Sequence, residues 1–391
     1  MISHLAVSNI RNKVSKSYSI LLGYFTKALP KQRFQPINRR ADVHLKIQSN
    51  ALLHDRGRYF YILIKTLSLH FSQVSLVHRF NLLDYYKIGF YGRAIYKIKN
   101  LQFDRKSSHD RHNKILIYDQ PLSQKQLSGW KKCIRIESDI SLSKPNNDQW
   151  ALIPYSMNPR IYDVTDKAEL NSLRHSKRKI RLFFTGNINP NIYSGRGFWE
   201  KSGFDLMPRR QVISAIKKTF PERISWIENL DDWTSTITTD LKNKIVLGNR
   251  KRFSIPPEMW LSSLASCDFF ICAPGIDMPL CHNAVEAMAV GTIPLINYSN
   301  WFCPNLRDLH NCVAFENEED LHEKVNLILS MPEEQIMEMR KNVIDYYERH
   351  LNLDAFYQQL IDSQHQAMTL FMNTGNRNIL QKITSQSVIW G

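Results

Sequence analysis

The sequence predicts an α/β protein of two doubly wound, Rossmann-like domains. Three observations lead there. From Asp42 to Asn317 short apolar runs alternate with helix-like stretches, the spacing of a parallel sheet with crossover helices. At 391 residues the chain is long enough for two cores. Residues 266–297, SCDFFICAPGIDMPLCHNAVEAMAVGTIPLIN, carry the whole strand–loop–helix–strand order in one stretch.

Taken in order, residues 8–29 predict a helix with Ser8 as N-cap. Arg11, Lys13, Lys16 and Lys27 are set against Ile20, Leu21, Leu22, Tyr24 and Phe25. Two readings stand for it: a helix lying in a lipid interface, or one docked on its own domain. KQRFQPINRR follows as a basic linker, so residues 1–40 form an N-terminal helix and linker. A first domain over 41–165 places strands at VHLKIQ, VSLVHRF, KILIYD, KCIRIES and WALIPY, with a helix at RYFYILIKTLSLHF. Asn81 to Phe103 carries no clear period. The polar stretch 156–178 predicts an interdomain linker. A second domain over 166–350 opens on the strand RLFF and the turn Gly186-Asn187. It continues with a helix near Arg209 to Phe220, strands at ISWIEN and KIVLGN, and the helix PPEMWLSSLASC. DFFICA, TIPLIN and CVAFEN supply its later strands, with Gly291 stopping the helix between the first two. Helices from Glu318 to Leu329, Glu333 to His350 and Leu353 to Phe371 close the chain, the last belonging to an extension over 351–391.

Composition narrows the function. No run approaches the roughly 20 apolar residues that span a bilayer, and no signal peptide is expected. The six cysteines lack the spacing of a disulfide framework, which points to a reducing cytoplasm. Cys272, Cys281, His282, Cys303, His310 and Cys312 invite a zinc reading, but no closely spaced Cys pair is among them, so no metal is expected. Net charge is +16 and unevenly placed: residues 1–160 hold 27 Lys and Arg against 9 Asp and Glu, the rest 25 against 27. The basic half should face an anion, either nucleic acid or a membrane surface.

The loop from Gly275 to Asn283 ends a strand and feeds a helix N-terminus, where backbone N–H groups and the helix dipole favour phosphate. Glu286, one turn on, is placed for two vicinal ribose hydroxyls. Arg196, Arg250, Lys251 and Arg252 are the nearby cations, and His282 lies in the first helical turn.

Pro274-Gly275, Asp277, Pro279, Glu286-Ala287, Gly291 and Ile293-Pro294-Leu295, followed by WFCPNL and NEEDLHEKVNLIL, resemble the donor half of exostosin-like glycosyltransferases of the GT-B fold. The resemblance covers about Lys179 to Leu351. The chain departs from the family pattern at Asn283, where that pattern has arginine, and at Glu286, where it has aspartate. The resemblance implies two Rossmann-like domains facing a central cleft, with C-terminal helices crossing back to the first domain. It implies a metal-independent sugar transferase without a cofactor, using a nucleotide-sugar as co-substrate. Gly186, Asn187, Arg196, Gly275, Asp277, His282, Asn283 and Glu286 would bind that donor.

A catalytic base would then come from the first domain, with Asp55 and Asp119 as first choices and His54, His78, Glu137 and Asp139 behind them. The implied acceptor is a saccharide or lipid-linked acceptor of surface polysaccharide or lipopolysaccharide synthesis. An anionic membrane surface is a further partner, with the protein in the cytoplasm and peripheral on the inner face of the membrane. Two other classes stand beside this reading. One is a sugar-nucleotide epimerase or hydrolase of the same fold. The other is a non-catalytic protein binding nucleic acid or membrane, although no nucleic-acid motif is present and no nucleic-acid partner is expected.

Overall fold

A computed structural model describes residues 4–33, 42–49, 54–77, 81–104, 111–193, 206–276 and 278–390; side chains are described from residue 12 on, apart from those of residues 32, 33 and 54–56. The chain forms two compact units. Residues 1–140, 145–153 and 357–376 make the first, and 141–144, 154–356 and 377–391 the second.

The first unit is built on a parallel seven-stranded sheet. Its strands are β1 (Val43–Lys46), β2 (Val74–Leu76), β3 (Leu101–Phe103), β4 (Ile115–Tyr118), β5 (Lys132–Glu137), β6 (Trp150–Leu152) and β13 (Ala367–Phe371). They lie in the order β3-β2-β1-β4-β5-β13-β6, which reverses between β1 and β4. Val43, Leu45, Val74, Leu76, Ile115 and Ile117 are buried, as strands covered on both faces require. Helix His54–His70 buries Phe60, Leu63, Ile64 and Leu67, the i, i+3, i+4, i+7 stripe of a helix on a sheet.

Three expectations change here. The N-terminal helix begins at His4, so Ser8 lies inside it, and it runs on through Tyr24–Ala28 to Arg33. It is docked on the first unit, with Tyr24 and Ala28 buried, the Tyr24 ring 5.3 Å from that of Tyr85, and Lys31 Nζ donating to the carbonyls of Tyr96 and Ile98. Asn81 to Phe103 resolves into helices Leu82–Lys87 and Phe90–Ala94 followed by β3. Leu353 to Phe371 is a helix only to Asp362; its second half is β13, which sits between β5 and β6. Buried Lys132, at the start of β5, donates to the carbonyls of Leu360, Ile361 and Ser363 at 2.8, 3.0 and 2.6 Å. It thereby satisfies carbonyls that the end of that helix leaves open. The returning segment therefore completes the first sheet, and is not helical throughout.

The second unit carries a parallel six-stranded sheet of β7 (Ile180–Gly186), β8 (Ile224–Ile227), β9 (Leu241–Asn249), β10 (Cys267–Cys272), β11 (Ile293–Ile296) and β12 (Val313–Ala314). The order is β12-β11-β10-β7-β9-β8, reversing between β7 and β10. Helix Leu230–Thr238, which the sequence reading did not assign, stacks Trp233 on Phe183 of β7. Residues 156–178, expected as a linker, belong to this unit and hold helices Ile161–Val164 and Lys167–Arg174. Arg174 donates to Ala289 O and pairs with Glu348, and the buried Arg178 donates to the carbonyls of Leu264, Cys267 and Val290. Buried cations that satisfy helix-end carbonyls fix this segment in place. The chain thus passes between units at 153/154, ahead of the expected boundary at 165/166.

Candidate functional site

Open parallel sheets bind ligands where strand order reverses, beyond the carboxyl ends of the strands. Each unit has one such point. In the second it lies between the loops after β7 and β10, where most of the predicted donor residues fall.

The β10 loop turns tightly. A Cβ on Gly275 would lie 2.6 Å from Met278 O and 3.2 Å from Leu280 O, and Gly275 N donates to Pro279 O at 3.0 Å. Only glycine allows that approach. The loop delivers the chain to helix His282–Ala289, whose N-cap Cys281 gives no side-chain cap and whose first turn holds no acid. At its far end Gly291, at φ +73°, donates to Met288 O, and Thr292 donates to Ala287 O. Those two bonds are the Schellman pattern, so the helix is closed at its C-terminus but not by a side chain at its N-terminus. Its positive dipole end therefore meets no internal carboxylate on the first turn.

Arg209, the first residue of helix Arg209–Thr219, joins the two loops. It is only 6% exposed. Its Nη2 donates to Ala273 O at 3.2 Å and lies 3.6 Å from Cys281 Sγ, its Nη1 reaches Asn187 O at 3.5 Å, and the guanidinium sits 4.2 Å from the Tyr193 ring centre. Its Nε has no partner, and among the described residues no carboxylate pairs with it. A buried charge without a counter-charge is costly, so a site of this make-up favours an anion. Sequence alone does not single out Arg209, because Pro208-Arg209 marks a helix start and not an anion site.

Of the predicted donor residues, Gly186 ends β7, and Asn187 follows it with Oδ1 accepting from Asn189 N. Asn283 Oδ1 is buried without a partner, one residue into the same uncapped turn. His282 Nε2 is 3.5 Å from Asn158 Nδ2. Glu286 is buried, its Oε2 accepting from Trp260 Nε1 at 2.6 Å and its Oε1 from Asn158 N at 2.8 Å. Arg250, Lys251 and Arg252 sit exposed past β9, with Arg252 paired to Glu228. Arg196, Asp277 and His78 lie outside the described residues, as do the side chains of His54 and Asp55. Among the described residues no group of three or more His, Cys, Asp or Glu could hold a metal. Burial pushes the Cys272 thiol and the neighbouring Tyr298 phenol well up, so both stay protonated at neutral pH.

The first unit's reversal point is built with the opposite charge. Asp119, directly after β4, accepts from Gln48 N and Ser49 N at 2.8 Å each and from Ser49 Oγ at 2.6 Å. It borders a concavity of about 210 Å³ with Arg135, Ile136 and Glu137. Arg135 pairs with Glu137 at 3.1 Å, and Glu137 also accepts from Asp139 N.

No family model and no curated protein matches the chain. Among solved structures it is similar to HepE of Anabaena in complex with UDP, at 12% identity over 82% of this chain and 98% of that one, TM-score 0.40. It is also similar to a glycosyltransferase of Rickettsia africae, at 11% identity over 82% and 98%, TM-score 0.42. A third is an alpha-glucosyltransferase in complex with UDP and a 13-mer DNA, at 13% identity over 82% and 98%, TM-score 0.37. No helix among the described residues is long and apolar enough to cross a membrane.

Proposed function

We propose that the chain is a glycosyltransferase of the GT-B type, exostosin-like in its donor half, that takes its sugar from a nucleotide donor at the second unit's reversal point. The observation that carries this reading is Arg209, a buried cation without a carboxylate beside a helix N-terminus whose first turn is free of acid. A diphosphate supplies the missing charge. Transfer breaks the bond from the sugar's anomeric carbon to the diphosphate oxygen as the acceptor oxygen bonds to that carbon, which leaves negative charge on the diphosphate, and Arg209 with the backbone N–H groups of the turn would stabilise it.

Glu286 is the ribose acceptor in this scheme. Its carboxylate is held by Trp260 and Asn158, which fix it in place on the helix. Asp277 and Arg196 remain proposed donor ligands. In the first unit Asp119 or Asp55 takes the acceptor proton; Asp119 borders a concavity whose polar lining suits hydroxyls. The acceptor is a saccharide or lipid-linked molecule of surface polysaccharide or lipopolysaccharide synthesis, and the protein works on the inner face of a membrane.

A thermal-shift screen with nucleoside diphosphates and sugar nucleotides tests the reading, because a ligand that binds the native state alone raises its apparent stability. Stabilisation by uridine or another nucleoside diphosphate is expected. No shift with any of them would reject the donor site. Turnover of a sugar nucleotide in the absence of acceptor would instead favour an epimerase or hydrolase.

A further inference from the structure

The N-terminal helix is docked on one side and bare on another. Val14, Tyr18, Leu21, Leu22 and Phe25 are 39–66% exposed. At 100° per residue they fall within an arc of about 100°, a continuous apolar stripe. Burial of Tyr24 and Ala28 on the neighbouring face fixes the helix in rotation, so it cannot roll to hide the stripe. The bare surface extends onto helix Leu82–Lys87, where Tyr86 meets Ser17 hydroxyl to hydroxyl at 3.4 Å and both Tyr86 and Leu83 are exposed. A contiguous apolar patch on an otherwise folded unit marks an interaction surface.

Charge identifies the occupant. The first unit holds 25 Lys and Arg against 10 Asp and Glu, a net of +15, while the second holds 27 against 26, a net of +1. A second copy docked patch to patch would oppose one strongly basic unit with another, whereas an anionic lipid surface satisfies both features. At 100° per residue Lys13, Lys16 and Lys27 fall on the side of the helix away from the stripe. A helix is about 10–12 Å across, close to the Debye length of about 10 Å at 0.1 M salt, so those lysines still feel lipid charge. We propose that this face seats the protein on an anionic membrane surface, with the stripe at the boundary between headgroups and acyl chains. The inference names the partner and the surface for the membrane association proposed above, but needs no sugar transfer to be true.

Cosedimentation of the full-length protein with vesicles tests it. Vesicles of equal parts phosphatidylcholine and phosphatidylglycerol should bind at least about tenfold more tightly than pure phosphatidylcholine, and salt should weaken the difference. The double variant Val14→Ser with Tyr18→Ser removes the two most exposed side chains of the stripe and should lower binding by at least about tenfold. Thermal unfolding and the nucleoside-diphosphate shift, read on the same variant, should stay at wild-type values. Equal binding to both vesicles, no binding by the wild type, or wild-type binding by the variant would each overturn the proposal. So would a dimer in solution that the variant abolishes. Absence of vesicle binding by the wild type with its nucleotide shift intact rejects this surface alone; vesicle binding without a nucleotide shift rejects the donor site alone.

Discussion

Each sheet reverses strand order beside its first strand, between β1 and β4 and between β7 and β10, yet the groups at the two reversal points carry opposite charge. In the first unit a carboxylate, Asp119, spends the N–H donors of the loop after β1 on an internal anion. In the second a guanidinium, Arg209, spends carbonyls of the two loops and leaves the helix N-terminus without an acid on its first turn. Topology provides the same crevice twice. The sign of one side chain then decides whether the crevice already holds its anion or needs one from outside.

Removing the buried cation should have the largest effect. Hydrogen bonds to charged groups contribute about 1.5–3 kcal/mol each, so Arg209→Met should weaken nucleoside-diphosphate binding by roughly 100-fold. Unchanged affinity in a folded variant would break the contrast between the two crevices. Glu286→Ala strands the Trp260 indole N–H and the Asn158 N–H, both part-buried, so the penalty for each falls short of its maximum. At about 1–3 kcal/mol for each orphaned donor it should lose roughly 2–4 kcal/mol in urea unfolding, besides activity. An unaltered midpoint would show that neither bond holds. Asp119→Ala should cost about 1–2 kcal/mol, because the freed Gln48 and Ser49 groups are part-exposed and can turn to water, and should leave nucleotide affinity unchanged. A large loss of nucleotide affinity in that variant would mean that the first crevice also serves the donor. Gly291→Ala forces a residue to positive φ, at about 1–2 kcal/mol, and should leave nucleotide affinity unchanged. Crowding against Ile344 adds to that cost, and an unchanged melting temperature would contradict the cap geometry.

Much of the fold was legible in local pattern. Buried parallel strands such as Phe269–Ile271 are apolar runs, and the turn at Gly291 ends the helix where the sequence predicts. β13 was not, because Ala367–Phe371 reads equally well as the tail of the preceding helix; the break depends on Lys132, which is more than 200 residues distant in sequence. The segment 156–178 looked like a linker because its charges are many. Arg174 and Arg178 are nonetheless among the residues that tether it, since buried arginines satisfy helix-end carbonyls. The loop around Gly275 was legible from strand–loop–helix spacing alone. Arg209 was not, because what sets it apart is the lack of a counter-charge, and a sequence does not display that. Nor did spacing reveal the Trp260 and Asn158 bonds to Glu286, which bridge 26 and 128 residues.

The most direct measurement is calorimetric titration of a nucleoside diphosphate into the native protein, Arg209→Met and Asp119→Ala. One-to-one binding that Arg209→Met weakens by roughly 100-fold and Asp119→Ala preserves is the predicted result. Equal affinity in all three proteins, or loss in Asp119→Ala alone, would contradict an anion site built around the second unit's buried arginine.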